Sequence, residues 1–135
     1  MKSVWMMIAI ATLLLGGCGG TTELQEKGAV DAMYMQITAE EAKTMMDESE
    51  EILILDVREQ SEFDEGHIPG AVLLPVGSIT EETAAGVIAD KETVTLVYCR
   101  SGNRSKTAAQ ALVALGYTQI YEFGGIRDWP YEVEE

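Results

Sequence analysis

Two apolar runs, Ile52–Leu55 and Val94–Tyr98, limit the fold more than any other feature of this chain. A strand with one face in water alternates apolar and polar residues, whereas a strand covered on both faces has no need to. Both runs are short, and each stops at a reactive residue: Asp56 ends the first and Cys99 the second. They read as central strands of a parallel sheet with helices on both sides.

The remaining segments fit that frame. Met33–Ile37 is a candidate first strand. Thr38 with Glu41 is a capping-box pair that opens a helix from Ala39 to about Asp47. Glu59–Glu65 reads as a short helix closed by Gly66, Ile68-Pro69-Gly70 as a turn, and Ala71–Leu74 as a strand. Thr80–Ala89 is a third helix candidate. From Ser105 to Leu115, the spacing of Ala108, Ala111, Leu112 and Leu115 predicts one buried helical face, with Gly116 as the stop. Ile120–Phe123 is the last strand, followed by Gly124-Gly125 and a turn through Trp129-Pro130. Strands alternating with helices predict an α/β fold whose central, mostly parallel sheet is flanked by helices. Ligands of such folds bind beyond the carboxyl ends of the strands, which is where Cys99 falls.

The start of the chain is of a different kind. Lys2 precedes an apolar stretch from Val4 to Leu15, and Gly16-Gly17-Cys18 follows at once. That is the charge and length pattern of an export signal, too short to cross a bilayer. Leu15-Gly16-Gly17-Cys18 resembles a bacterial lipobox, which implies cleavage after residue 17 and lipidation of Cys18. The expected organisation is a signal peptide over residues 1–17, a lipidated Cys18 with a flexible tether to residue 32, and a folded domain over 33–135. The protein would then be exported and lipid-anchored to a bacterial membrane, on its extracytoplasmic face or in the periplasm. Two or three acyl chains hold stably where one does not. A single domain of this size is expected to be a monomer.

Charge narrows the partners. Nine Lys and Arg residues against 23 Asp and Glu give a formal net charge of −14. Phosphate backbones need clustered cations, so a nucleic-acid partner is excluded, as is a polybasic membrane surface. Against that background the segment Cys99-Arg100-Ser101-Gly102-Asn103-Arg104-Ser105-Lys106 reverses the local sign, because Arg100, Arg104 and Lys106 all fall within it.

Such a loop stabilises an anion. Gly102 and Asn103 tolerate the turn that points backbone N–H groups inward, and the following helix adds its unpaired N–H groups. Nearby Arg and a helix N-terminus favour a thiolate over a thiol, so Cys99 is the expected nucleophile. Arg104 can fork onto an oxyanion. Arg100, Ser101, Gly102 and Asn103 complete the candidate substrate cradle, chiefly through their backbone, while Lys106 is expected on a solvated helix face. No metal-ligand cluster, dinucleotide fingerprint or other cofactor motif is visible, so no metal or cofactor is expected.

With these residues in place, the chain resembles the rhodanese family of sulfurtransferases over residues 33–129. The matching stretches are Leu55-Asp56-Val57-Arg58-Glu59, Glu62-Phe63 with Gly66-His67-Ile68-Pro69-Gly70-Ala71, the Cys99–Ser105 loop, and Gly124-Gly125-Ile126 with Trp129. The resemblance implies a rhodanese-like three-layer fold and a Cys99 that carries sulfane sulfur as a persulfide. The sulfur would come from thiosulfate or a similar small anion and pass to a thiophilic acceptor such as cyanide or a thiol. The alternative is a persulfide-carrying delivery or binding module with poor turnover of its own. Asp56 and Arg58 match too, and there a structural role near the site is expected, with a carboxylate at a strand end paired to its neighbouring Arg. His67, within a His-Ile-Pro-Gly turn, is likewise expected to be structural.

Two features depart from relatives. Phosphatases and arsenate reductases of related loop design place Arg one residue farther from Cys, so the four residues between Cys99 and Arg104 favour a smaller sulfur anion over phosphate. After Trp129 the chain runs directly into Pro130-Tyr131-Glu132, without the longer closing segment of many relatives. That predicts a trimmed end, open to fraying.

Overall fold

The computed structural model describes residues 33–135. The export signal, Cys18 and the tether lie outside the described residues. Five parallel strands form one sheet: β1 (Met35–Gln36), β2 (Leu53–Asp56), β3 (Val72–Leu73), β4 (Thr95–Cys99) and β5 (Ile120–Gly125), in the spatial order β1-β5-β4-β2-β3. Four helices connect them: α1 (Ala39–Glu48), α2 (Gln60–Glu65), α3 (Glu81–Val87) and α4 (Asn103–Ala114). Single 3₁₀ turns occupy Val76–Ser78 and Ile126–Asp128.

The central strand explains the layering. Every residue of β4 is buried, and its side chains alternate between two cores. Val97 and Cys99 pack with Ala84 of α3 and with Ala108, Ala109 and Leu112 of α4. Leu96 and Tyr98 point the other way, onto Ala42 of α1, Ile68, Phe123 and Trp129. A run without polar interruptions is what two covered faces require.

Local chemistry sets the helix ends. The Thr38 hydroxyl accepts from the Glu41 N–H at 3.0 Å, and the Glu41 carboxylate accepts from the Thr38 N–H at 2.8 Å. Both bonds of the expected capping box are made. At the end of α4, Gly116 takes a left-handed φ of 102°. The Tyr117 N–H then reaches the Leu112 carbonyl and the Gly116 N–H the Val113 carbonyl, which closes the helix.

The structure departs from the sequence reading at three places. Helix α4 begins at Asn103 rather than Ser105, because Gly102 adopts a left-handed φ of 109° and turns the chain straight from loop to helix. Its buried face is Ser105, Ala108, Ala109 and Leu112, with Ala111 and Leu115 only partly covered. The C-terminal residues are tied back to the domain. Glu134 and His67 exchange backbone hydrogen bonds of 2.8 Å in an antiparallel bridge, and the Trp129 indole donates to the Glu132 carbonyl at 3.0 Å. Two backbone bonds and the indole contact tie residues 129–134 to the domain.

Candidate active site

Strand β4 delivers Cys99 to the mouth of the loop, and three backbone N–H groups then converge on its sulfur. The Gly102 N–H lies 3.0 Å from Sγ, and the backbone N–H groups of Ser101 and Ser105 also favour a negative sulfur. The left-handed Gly102 makes this convergence possible, since an L side chain resists that backbone conformation. The Ser105 hydroxyl stands 3.5 Å from Sγ on the inner side. Burial opposes ionisation of Cys99 more than any single bond favours it. The hydrogen bonds from the Ser105 hydroxyl and the three N–H groups together prevail, holding the thiol below its ordinary range.

A second glycine seats the loop from behind. The Gly125 Cα lies so close beneath the Arg100 carbonyl that a Cβ there would collide with Arg100 and with the Ser101 nitrogen. The Arg100 carbonyl accepts the Arg127 N–H at 3.1 Å, so the 3₁₀ turn after β5 braces the loop. The Arg100, Ser101, Asn103 and Lys106 residues are exposed, and Gly102 is buried.

Arg104, in the first turn of α4, is partly buried and directed toward α2. Its fork meets the Glu62 carboxylate through two bonds, Nη1 to Oε2 at 2.8 Å and Nη2 to Oε1 at 3.0 Å. The Arg104 hydrogen bonds are the largest influence on Glu62 and hold its carboxyl down at about 2. Arg104 still stands close enough to Cys99 for a negative sulfur to favour its charge.

Asp56 and Arg58 form a buried knot behind the loop rather than a wall of it. The Asp56 Oδ1 accepts the Arg58 N–H at 2.9 Å and its Nε at 3.0 Å, while Oδ2 accepts Arg58 Nη2 at 2.7 Å and the Tyr98 hydroxyl at 2.8 Å. Arg58 also donates to the Gly66 carbonyl at 2.7 Å, and the Tyr98 oxygen accepts the Ile68 N–H at 3.0 Å. Burial, with Asp56 beside it, pushes the Tyr98 hydroxyl above its ordinary range. Both Asp56 oxygens and the Tyr98 hydroxyl are partnered, so the knot fixes the β2 and β4 ends that carry the site. His67 stacks on Phe63 at 3.8 Å and donates from Nδ1 to the Phe63 carbonyl at 2.9 Å. Among the described residues, no three His, Cys, Asp or Glu side chains group as metal ligands.

Sequence reasoning missed five of the participating residues: Glu62, Tyr98, the Ser105 side chain, Glu122 and Gly125. Glu62, Ser105 and Gly125 lie in the matching stretches but had no role assigned to them there, and Glu122 carried a signal of its own. Glu122 is a charged residue inside the run Ile120–Phe123, and it is 2% exposed.

A parallel α/β sheet whose central strand ends in a cysteine beneath inward-facing N–H groups holds a thiol where negative charge is favoured. The chain belongs to the rhodanese-like domain family, whose profile matches residues 38–131. It is 38% identical over 98 residues to the thiosulfate sulfurtransferase GlpE of Coxiella burnetii, covering 72% of this chain and 88% of that one. It is also 34% identical over 100 residues to YrkF of Bacillus subtilis, whose name proposes a sulfur carrier. That match covers 73% of this chain but spans only about half (52%) of YrkF. Among solved structures, the rhodanese-like domain of Anabaena Alr3790 superposes with a TM-score of 0.66 at 27% identity, covering 73% of this chain and 77% of that one. The family and its rhodanese-type sulfurtransferase character therefore rest on the fold and on named relatives together.

Proposed function

We propose that the protein transfers sulfane sulfur through a Cys99 persulfide, with thiosulfate or a similar anion as donor and cyanide or a thiol as acceptor. The observation that carries this reading is the set of N–H groups converging on the Cys99 sulfur. They stabilise a thiolate, and equally the terminal sulfur of Cys99–S–S⁻. The thiolate attacks the outer sulfur of thiosulfate, a new S–S bond forms, and sulfite leaves with the electrons of the old one. An acceptor then removes the outer sulfur and restores the thiolate. Two successive half-reactions make the kinetics ping-pong.

The test is thiosulfate-to-cyanide transfer by the purified chain beside its Cys99→Ser variant, with intact mass after thiosulfate alone. Turnover together with a mass gain of one sulfur atom, both absent in the variant, is the expected result. A mass gain without turnover favours the second reading, a sulfur-delivery module. One observation supports that alternative: the Arg104 fork is already occupied by Glu62, so the loop offers a small dianion one cation fewer than its sequence suggests.

We also propose that the chain is exported and anchored through lipid on Cys18, on the strength of Leu15-Gly16-Gly17-Cys18 after an apolar stretch. Labelled fatty acid should enter the wild-type protein in cells and not its Cys18→Ala variant.

A further inference from the structure

The Ser105 oxygen is surrounded by acceptors. It lies 2.5 Å from Glu122 Oε2, 3.1 Å from the Gly102 carbonyl and 3.3 Å from the Gly124 carbonyl. A hydroxyl has one proton to give and two lone pairs to fill. Of its hydrogen-bond neighbours, only the Cys99 thiol, 3.5 Å away, can donate to it. The distance to Glu122 is that of a charge-assisted O–H···O⁻ bond. The resting chain of donors therefore runs from the Cys99 S–H to Ser105 Oγ, and from the Ser105 O–H to Glu122. Glu122 is 2% exposed and makes no ion pair among the described residues. Its other partners are the Gly124 N–H at 2.9 Å and the Gln36 amide at 3.3 Å. The sulfur-transfer reading gives this buried carboxylate no role.

We propose that Glu122 is a positioning residue for the Cys99 sulfur: through Ser105, the two hold one proton between them, and Glu122 stores it while the sulfur is negative. This rests on the persulfide reading of Cys99. As Cys99 attacks thiosulfate, its thiol proton passes to Ser105 Oγ and the proton of Ser105 passes to Glu122 Oε2. The freed sulfur pair forms the bond to the outer sulfur of thiosulfate, and sulfite departs with the pair of the broken S–S bond. The hydrogen-bond chain now points the other way, from a neutral Glu122 through Ser105 to the sulfur. When an acceptor takes the outer sulfur, the bonding pair returns to Sγ, and the stored proton returns through Ser105 with it. No net proton is gained or lost in the cycle, and two negative charges never share one buried site.

The surroundings contain little that could substitute. From α4, Cys99 faces Ser105 and feels Arg104, which is held by Glu62 of α2. Strand β1 contributes the neutral Gln36. The acidic residues of the first turn of α1, Glu40 and Glu41, are exposed, as are Arg100 and Lys106.

The test is the pH dependence of Cys99 alkylation by iodoacetamide in the wild type and in Glu122→Gln. It requires no sulfur donor, so it can fail while sulfur transfer holds, and succeed while sulfur transfer fails. Glutamine can still accept from Ser105 and Gly124 but can neither ionise nor store the proton. With the competing charge removed, the variant should alkylate in a single titration displaced to lower pH, reacting about tenfold or more faster near pH 6.5. The wild type also reports directly, which covers a variant that fails to fold. Followed by carbon NMR at constant pH, its Glu122 carboxyl signal should move once Cys99 is alkylated. Superimposable alkylation profiles, or a Glu122 carboxyl indifferent to Cys99, would overturn the proposal.

Discussion

Arg104 and Glu62, 42 residues apart in the chain, meet through two parallel hydrogen bonds of 2.8 and 3.0 Å, so a cation close enough to feel the thiol is paired before any substrate arrives. A donor anion must then compete with Glu62 for Arg104 or use the backbone N–H groups alone. Glu62→Gln keeps the shape and removes the competing charge. The expected outcome is a KM for thiosulfate lowered by about threefold to tenfold with kcat little changed, read from steady-state kinetics.

The same pair sets part of the acid stability. The Glu62 carboxyl is held at about 2, against 4.5 for the free group. A depressed folded value stabilises the fold above the unfolded value and loses that contribution as pH falls through the folded one. Wild-type stability should therefore decline between about pH 4.5 and pH 2 by a margin that Glu62→Gln does not show. Both side chains are partly exposed, so screening keeps the difference to about 1–2 kcal/mol in denaturant titrations at successive pH values.

Gly125→Ala tests the seat of the loop. The new methyl group would meet the Arg100 carbonyl and the Ser101 nitrogen, both backbone atoms with no soft end to yield. The loop must move, and the N–H groups aimed at Sγ move with it. Sulfur transfer should fall by about a hundredfold, whereas overpacking at one edge should cost only about 1–3 kcal/mol of stability. A variant that unfolds less readily than wild type, or retains full turnover, would contradict this account.

Much of the fold was legible because it depends on local pattern. The covered strands appear as Ile52–Leu55 and Val94–Tyr98, the α1 cap as Thr38 with Glu41, and the α4 stop as Gly116. The Cys99 loop was legible for the same reason, since its cradle is built from consecutive residues. What could not be read is whatever depends on two distant segments arriving together. Glu62 reaches Arg104, Glu122 reaches Ser105, and Glu134 pins His67 only once the strand order is fixed. Composition carries no register, so Arg104 looked free and the C-terminus looked loose. Glu122 was the exception, because a carboxylate inside a covered strand demands a partner wherever the chain runs.

Tyr98→Phe separates the buried knot from the chemistry beside it. The hydroxyl accepts the Ile68 N–H at 3.0 Å and donates to Asp56 at 2.8 Å. Its loss leaves one buried donor without a partner and takes one bond from a carboxylate that keeps the Arg58 fork. The expected cost is about 1–3 kcal/mol in denaturant unfolding. Tyr98 and Cys99 are neighbours in sequence but point into opposite cores, so losing the ring hydroxyl leaves the sulfur's own hydrogen bonds intact. Cys99 alkylation should keep its wild-type pH dependence in this variant.

Ser105→Ala should do the reverse. The serine side chain touches the sulfur, and its hydroxyl is the strongest of the groups that favour the Cys99 thiolate against burial. Without it the thiol returns toward its ordinary range, and alkylation at neutral pH should slow by about threefold to tenfold, the worth of one hydrogen bond to a charged group. Helix α4 should tolerate the change, because alanine is the better helix former and Ser105 packs within a face of small residues with Ala108 and Ala109. Loss of stability should come instead from Glu122, whose carboxylate keeps only the Gly124 N–H and Gln36 as partners once the hydroxyl is gone. The pair of variants therefore divides the two sides of β4: one should lower stability with the thiol unchanged, the other should alter the thiol first.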